Sequence, residues 1–119
     1  MKIISYQPQV PCSLHGYLYT SDDVAELGQD MMVIDLPTGV SVEVGWYPEG
    51  AANGSYRVCV RAGLALVGAP LFTRDASDLP QMLDQRLAKL SRRISDCGSD
   101  ASDTTQFMYR DWLAPTAVA

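Results

Sequence analysis

The residue types able to hold a metal or attack a substrate are few in this chain: Cys12, Cys59, Cys97 and a single histidine, His15. Cys12-x-x-His15 is the one metal-like pair, and the two other thiols would complete a four-ligand zinc set. Zinc sites usually draw their ligands from two close pairs, whereas Cys59 and Cys97 are lone cysteines 38 positions apart (97 − 59). A thiol–imidazole nucleophile needs the two side chains within hydrogen-bond reach and a lowered thiol pKa. On an extended strand, Cys12 and His15 differ by three positions and point to opposite faces. Neither Cys12 nor Cys59 stands at a predicted helix N-terminus. The pattern predicts no metal, no cofactor and no catalytic residue.

The carboxylates have plainer explanations than paired acid–base work. Asp22 and Asp23 open a short predicted helix, where capping accounts for them. Asp100 and Asp103 lie in a polar stretch. Asp35 and Glu43 fall on the polar face of a predicted sheet, with Arg57 and Arg61 on that same face. A solvated cross-strand charge lattice, worth a few tenths of a kcal/mol per pair, is the simplest reading. Gly63 and Gly68 are spaced like the ends of a phosphate loop but lack the Lys-Ser/Thr that must follow.

The elements that must position these groups are clearer than the chemistry. Residues 31–61 read as a three-stranded meander of β-branched and aromatic residues. Successive strand side chains face opposite ways, so Met32, Ile34 and Leu36 share one face, with Met31, Val33 and Asp35 on the other. Pro37-Thr38-Gly39 is a turn signal. The next run sets Val40, Val42, Val44 and Trp46 against Ser41, Glu43, Gly45 and Tyr47. A loop at 48–54 ends in the turn pair Asn53-Gly54, and the third run sets Tyr56, Val58 and Val60 against Ser55, Arg57, Cys59 and Arg61. One face is apolar throughout, the mark of a one-sided antiparallel sheet that must be roofed.

Before the meander, residues 2–6 are short and β-prone, 13–19 alternate as a strand, and 21–28 suggest a short helix capped by Thr20 or Ser21. After it, 62–70 read as a loop or broken strand and 70–74 as a further strand. The long helix is strongest. Leu79, Leu83, Leu87, Leu90 and Ile94 form an apolar stripe, with Met82 beside it. Asp78 and Gln81 have the spacing of a capping box, and Pro80 fits the first turn. Burying the five stripe side chains would contribute roughly 1.5–3 kcal/mol each before entropy is subtracted. The fold class expected is α+β: an antiparallel sheet of four to six strands with one long amphipathic helix (79–97) packed on one face. The organisation expected is a single domain at 1–94, a polar linker at 95–106 and an aromatic tail at 107–119.

The chain has 119 residues, 47% hydrophobic, with net charge −5. That size supports one ordinary core. The acidic balance disfavours a generic phosphate-backbone binder. By segment the charge is −3 for 1–30, 0 for 31–74, +1 for 75–94 and −3 for 95–119. No signal-peptide core and no run of about 20 apolar residues is present, and an odd cysteine count suits reduced thiols. A cytoplasmic protein with no membrane partner is expected.

With no reaction centre legible, the reading favours a non-enzymatic interaction or regulatory domain, such as an inhibitor or phage-type accessory factor, binding a protein partner. Its surface would be Arg57, Arg61 and Tyr47 on the sheet face, with Phe107, Tyr109 and Trp112 of the tail, which docks on its own domain or on another chain. The alternatives are a nucleic-acid-binding regulator using Arg57, Arg61 and Arg74, and an acidic decoy of nucleic acid. A second basic set, Arg86, Lys89, Arg92 and Arg93, lies along the helix. An open sheet edge would allow a homodimer.

Overall fold

A computed structural model describes residues 1–63 and 65–97. Its centre is a five-stranded antiparallel sheet in the order β2-β4-β5-β6-β7, formed by Ser13–Gly16, Met32–Leu36, Val40–Tyr47, Ser55–Ala62 and Ala65–Thr73. A separate antiparallel pair joins β1 (Lys2–Ile4) to β3 (Leu18–Thr20). The helix α1 (Leu79–Cys97) covers one face of the large sheet. The architecture is the expected α+β arrangement, and the 3.6-residue spacing explains why. Leu79, Leu83, Leu87 and Leu90 are buried together with Met32, Ile34, Leu36, Val40, Val42, Val44, Trp46, Tyr56, Val58 and Val60 in one core.

The register sets the faces. Val42 stands opposite Ile34 on one side and Val60 on the other, and Val44 lies between Met32 and Val58. On the reverse face Glu43 stands opposite Val33 and Cys59, and Ser41 opposite Asp35 and Arg61. No second helix among the described residues roofs this reverse face.

Several local expectations change. The alternating stretch 13–19 is two strands in two sheets. Gly16, at φ +79°, turns the chain where a Cβ would lie 2.1 Å from the Met31 carbonyl oxygen, so only glycine fits. The predicted helix at 21–28 is a single 3-10 turn, Val24–Glu26. Asp23, not Thr20 or Ser21, caps it by accepting from the Ala25 N–H; eight residues hold too few backbone bonds to propagate an α-helix. Residues 62–70 are mostly strand, since β7 already starts at Ala65. It departs from even pairing between Val67 and Leu71, which stand opposite Val60 and Val58. Met31, placed on the outer face by strict alternation, is buried in the core. The strand phase changes just before it, where the backbone at Gly28 and Met31 bonds to Trp46 and Val44.

The predicted capping box is replaced by another device. A 3-10 turn, Ala76–Asp78, precedes α1, and the Asp75 carboxylate accepts from both the Ser77 hydroxyl and its backbone N–H, which lowers its pKa. Asp78 instead accepts from the Thr73 hydroxyl at 2.8 Å. The N-terminal segment is held to the helix where the Tyr6 hydroxyl donates to Asp84 at 2.7 Å. Burial, and then that carboxylate, push the Tyr6 phenol up.

Candidate functional site

The reverse face of the sheet gathers most of the polar chemistry that alternation assigned to it. His15 and Asp35, on neighbouring strands, lie 3.1 Å apart at the exposed β2 end. Glu43 and Arg61 form an ion pair across β5 and β6, both half-buried, which satisfies the otherwise orphaned Glu43 Oε2. Arg57 stacks on Tyr47, its guanidinium carbon 4.4 Å from the ring centroid. At an exposed site such a contact contributes about 0.5–1 kcal/mol. Arg61 and Tyr47 are where the alternation placed them. Phe107, Tyr109 and Trp112 lie outside the described residues, as do the aromatic tail and the linker beyond residue 97.

Two further members of this face follow from the β7 register. Phe72 pairs with Arg57 and Leu66 with Arg61, which puts both on the reverse face, and both are large exposed apolar side chains (56% and 44%). With Tyr47, also 44% exposed, they make an apolar margin around two arginines. Sequence reasoning missed them because 62–70 read as loop, and the irregularity at 68–70 breaks the count that would have carried the phase to Phe72.

Between the charged pairs lies a small pocket of about 40 Å³, lined by Gln29, Asp30, Glu43, Gly45, Arg57, Cys59 and Arg61. It has room for little more than a water molecule. Cys59 is 3% exposed at its floor. Desolvation pushes its thiol up despite the opposing pull of Arg57 and Arg61. The nearest imidazole, His15, is on β2, three strand spacings from β6 and hence roughly 14 Å away. A thiol raised by burial, with no imidazole at hand and the neighbouring Glu43 carboxylate pushing it up further, is the opposite of an activated nucleophile. Cys12 packs against the core from the other side, so Cys12, His15 and Cys59 are not brought together. Thiol labelling checks this arrangement. Iodoacetamide is expected to modify Cys59 in the folded protein far more slowly than a free thiol, with the rate rising only at pH above the usual thiol range. Peptide mapping by mass spectrometry reads the result. Rapid labelling of Cys59 at neutral pH would contradict it.

Of the three arginines of the nucleic-acid alternative, Arg57 is stacked, Arg61 is paired, and Arg74 donates to the Ala52 carbonyl at 3.0 Å beyond the strand end. A wider cleft at that end, about 510 Å³, has Leu27, Trp46 and Tyr56 as its floor. Both floor aromatics direct their polar atoms inward, Trp46 Nε1–H to Ala51 O and the Tyr56 hydroxyl to Tyr19 O. No helix among the described residues is long and apolar enough to cross a membrane, and the described residues contain no cluster of three metal-ligating side chains. Comparison with known proteins gives no match: no family model, no curated protein and no solved structure aligns with the chain.

Proposed function

We propose that this chain is a small cytoplasmic interaction or regulatory domain, without enzymatic activity, that binds a protein partner through the reverse face of its sheet. The observation that carries the reading is the exposure of Phe72 beside the Arg57–Tyr47 stack, with exposed Leu66 beside Arg61 on the same face. Aromatic residues and arginine dominate the energetics of protein interfaces, and an arginine already stacked on a tyrosine loses little freedom on binding. The charges on this face are largely paired with one another, which leaves the apolar margin as its adhesive part. Inhibitors and accessory factors work in this way, by occupying a surface and not by turning over a substrate.

Affinity capture from a host extract, followed by titration of the purified partner, tests the reading. Phe72→Glu and Tyr47→Ala are each expected to weaken binding at least tenfold, about 1.4 kcal/mol. Gln81→Glu, exposed on α1, is expected to leave binding unchanged. A partner held equally well by all three variants would overturn the assignment of the face. Retardation of nucleic acid in a low-salt gel shift, lost in Arg57→Glu with Arg61→Glu, would replace it with the nucleic-acid reading.

A further inference from the structure

The cleft at the strand ends is built differently from the reverse face. It lies on the core side of the sheet, where Trp46 and Tyr56 stand opposite each other on β5 and β6. Leu27, Trp46, Tyr56 and Ala76 supply its apolar surface, and Thr20, Ser21, Arg74 and Asp75 its polar atoms. Its volume of about 510 Å³ falls within the roughly 300–1,000 Å³ of small-molecule sites. One turn holds both its indole and its cation. The Ala51 carbonyl accepts from Trp46 Nε1–H at 2.8 Å, and the next carbonyl, that of Ala52, accepts from Arg74 Nη2 at 3.0 Å. A short stretch of backbone therefore fixes the guanidinium and the indole on one side of the cleft.

These atoms select a kind of ligand. A guanidinium carries a planar fork of N–H donors that matches a carboxylate. The bond to Ala52 uses one donor on a neutral oxygen, so among the described residues the charge of Arg74 has no carboxylate partner. The Thr20 hydroxyl, in the same lining, makes no hydrogen bond among the described residues. Asp75 is the one acid of the lining, and its Oδ1 is turned into the helix cap, where the Ser77 N–H and hydroxyl donate to it. A ligand with two negative charges would find no second cation: residues 20–27 hold Asp22, Asp23 and Glu26 and no basic residue. An ammonium group would meet Arg74 as a like charge. The cleft suits a single negative charge on an apolar body.

We infer that this cleft binds a small monocarboxylic acid with an aromatic or aliphatic body, its carboxylate on the Arg74 fork and its body across Leu27, Trp46 and Tyr56. A two-point pairing of arginine with carboxylate is among the stronger polar contacts a surface can make. Arg74 is already held by Ala52, so it loses little freedom when the acid arrives. Trp46 and Tyr56 face the opposite side of the sheet from Tyr47, Arg57 and Phe72, so the cleft stands apart from the proposed partner-binding face.

Three probes of one shape test it: phenylpropionate, phenylpropionamide and phenylpropylamine, each titrated into the full chain at neutral pH and followed by the ¹⁵N signal of the Trp46 indole. The chain has a second tryptophan, Trp112, and Trp112→Phe assigns the two indole signals. The carboxylate is expected to shift the Trp46 signal saturably, with an affinity at least tenfold above that of the amide or the amine. Arg74→Gln keeps an N–H for Ala52. It should weaken the carboxylate at least tenfold and leave the Trp46 signal of the unliganded protein in place. Arg92→Gln, which removes a cation from α1, should not weaken it. Should Arg74→Gln fail to fold, the comparison of the three probes in the unaltered chain decides the matter alone. Equal binding of the amide, or no saturable shift with the carboxylate, would overturn the inference. Equal losses in Arg74→Gln and Arg92→Gln would also overturn it, since they would mark general attraction to positive charge. Nuclear Overhauser contacts from Trp46 to residues 107–113 in the unliganded chain would overturn it in favour of the chain's own C-terminal segment as the occupant. Phe72→Glu should leave the titration unchanged, so failure of the sheet-face reading and failure of the acid site are separate outcomes.

Discussion

Gly45→Val is expected to lower the stability of the domain by about 3 kcal/mol or more. Gly45 lies within β5, where alternation gives it an outward-facing position. A Cβ there would meet the Gln29 carbonyl oxygen at 1.6 Å and its carbonyl carbon at 2.4 Å. The obstruction is backbone, so no rotamer change relieves it. The segment before β4 would have to lift off β5, stretching the bonds from Met31 N–H to Val44 O (2.9 Å) and from Trp46 N–H to Gly28 O (2.8 Å). Overpacking costs about 1–3 kcal/mol and each lost backbone bond about 0.5–1.5 kcal/mol. For a domain of this size the midpoint of thermal unfolding should fall by roughly 12 °C or more. Ser41→Val, on the same face of the same strand, is expected to stay within about 0.5 kcal/mol. Equal effects in the two variants, measured by calorimetry, would show that the close approach at Gly45 is not what constrains the strand.

Trp46→Ala is expected to cost about 3–5 kcal/mol. Trp46 is 5% exposed and meets Tyr56 edge-to-face at 5.1 Å between centroids. Its Nε1–H donates to Ala51 O at 2.8 Å, which ties the loop after β5 to the core. Trp46→Phe separates the two contributions. It keeps most of the aromatic packing and removes the indole donor, leaving the Ala51 carbonyl to the Gly54 N–H at 3.0 Å, and should cost about 0.5–1.5 kcal/mol. Denaturant unfolding of both variants reads the difference. If Trp46→Phe destabilises as much as Trp46→Ala, the hydrogen bond and not the packing dominates at this site.

The elements legible in the sequence are those with long, unbroken periodicity. The leucines of α1 repeat over about three turns, and the apolar residues of β5 and β6 alternate within strands of eight residues each, so the burial of Leu87, Val42 or Val58 follows from pattern alone. What was hidden depends on breaks in phase. Met31 is buried because the chain changes phase at Gln29 and Asp30, where Gln29 crosses a glycine 16 positions downstream, Gly45. Leu66 and Phe72 face the open side because β7 leaves even pairing between Val67 and Leu71. Gly16 divides one alternating run between two sheets. Each of these is a long-range backbone event, and side-chain types near the break carry no trace of it. The candidate face was therefore legible at Tyr47, Arg57 and Arg61, which lie in unbroken strands, and illegible at its apolar margin.

The offset in β7 also governs how copies of this molecule meet. An outer strand with nine residues in regular extension would be a template for joining sheets end to end, the first step of fibrous assembly. Here the regular pairing runs for only three residues on each side of the offset, 65–67 and 71–73, and Pro70 removes a donor within it. The other outer strand, β2, has four residues. A neighbour laid along either of these described strands would find only three or four residues in regular extension. Short rims of this kind limit edge-to-edge joining of copies, even though Leu66 and Phe72 face the solvent close to one of them.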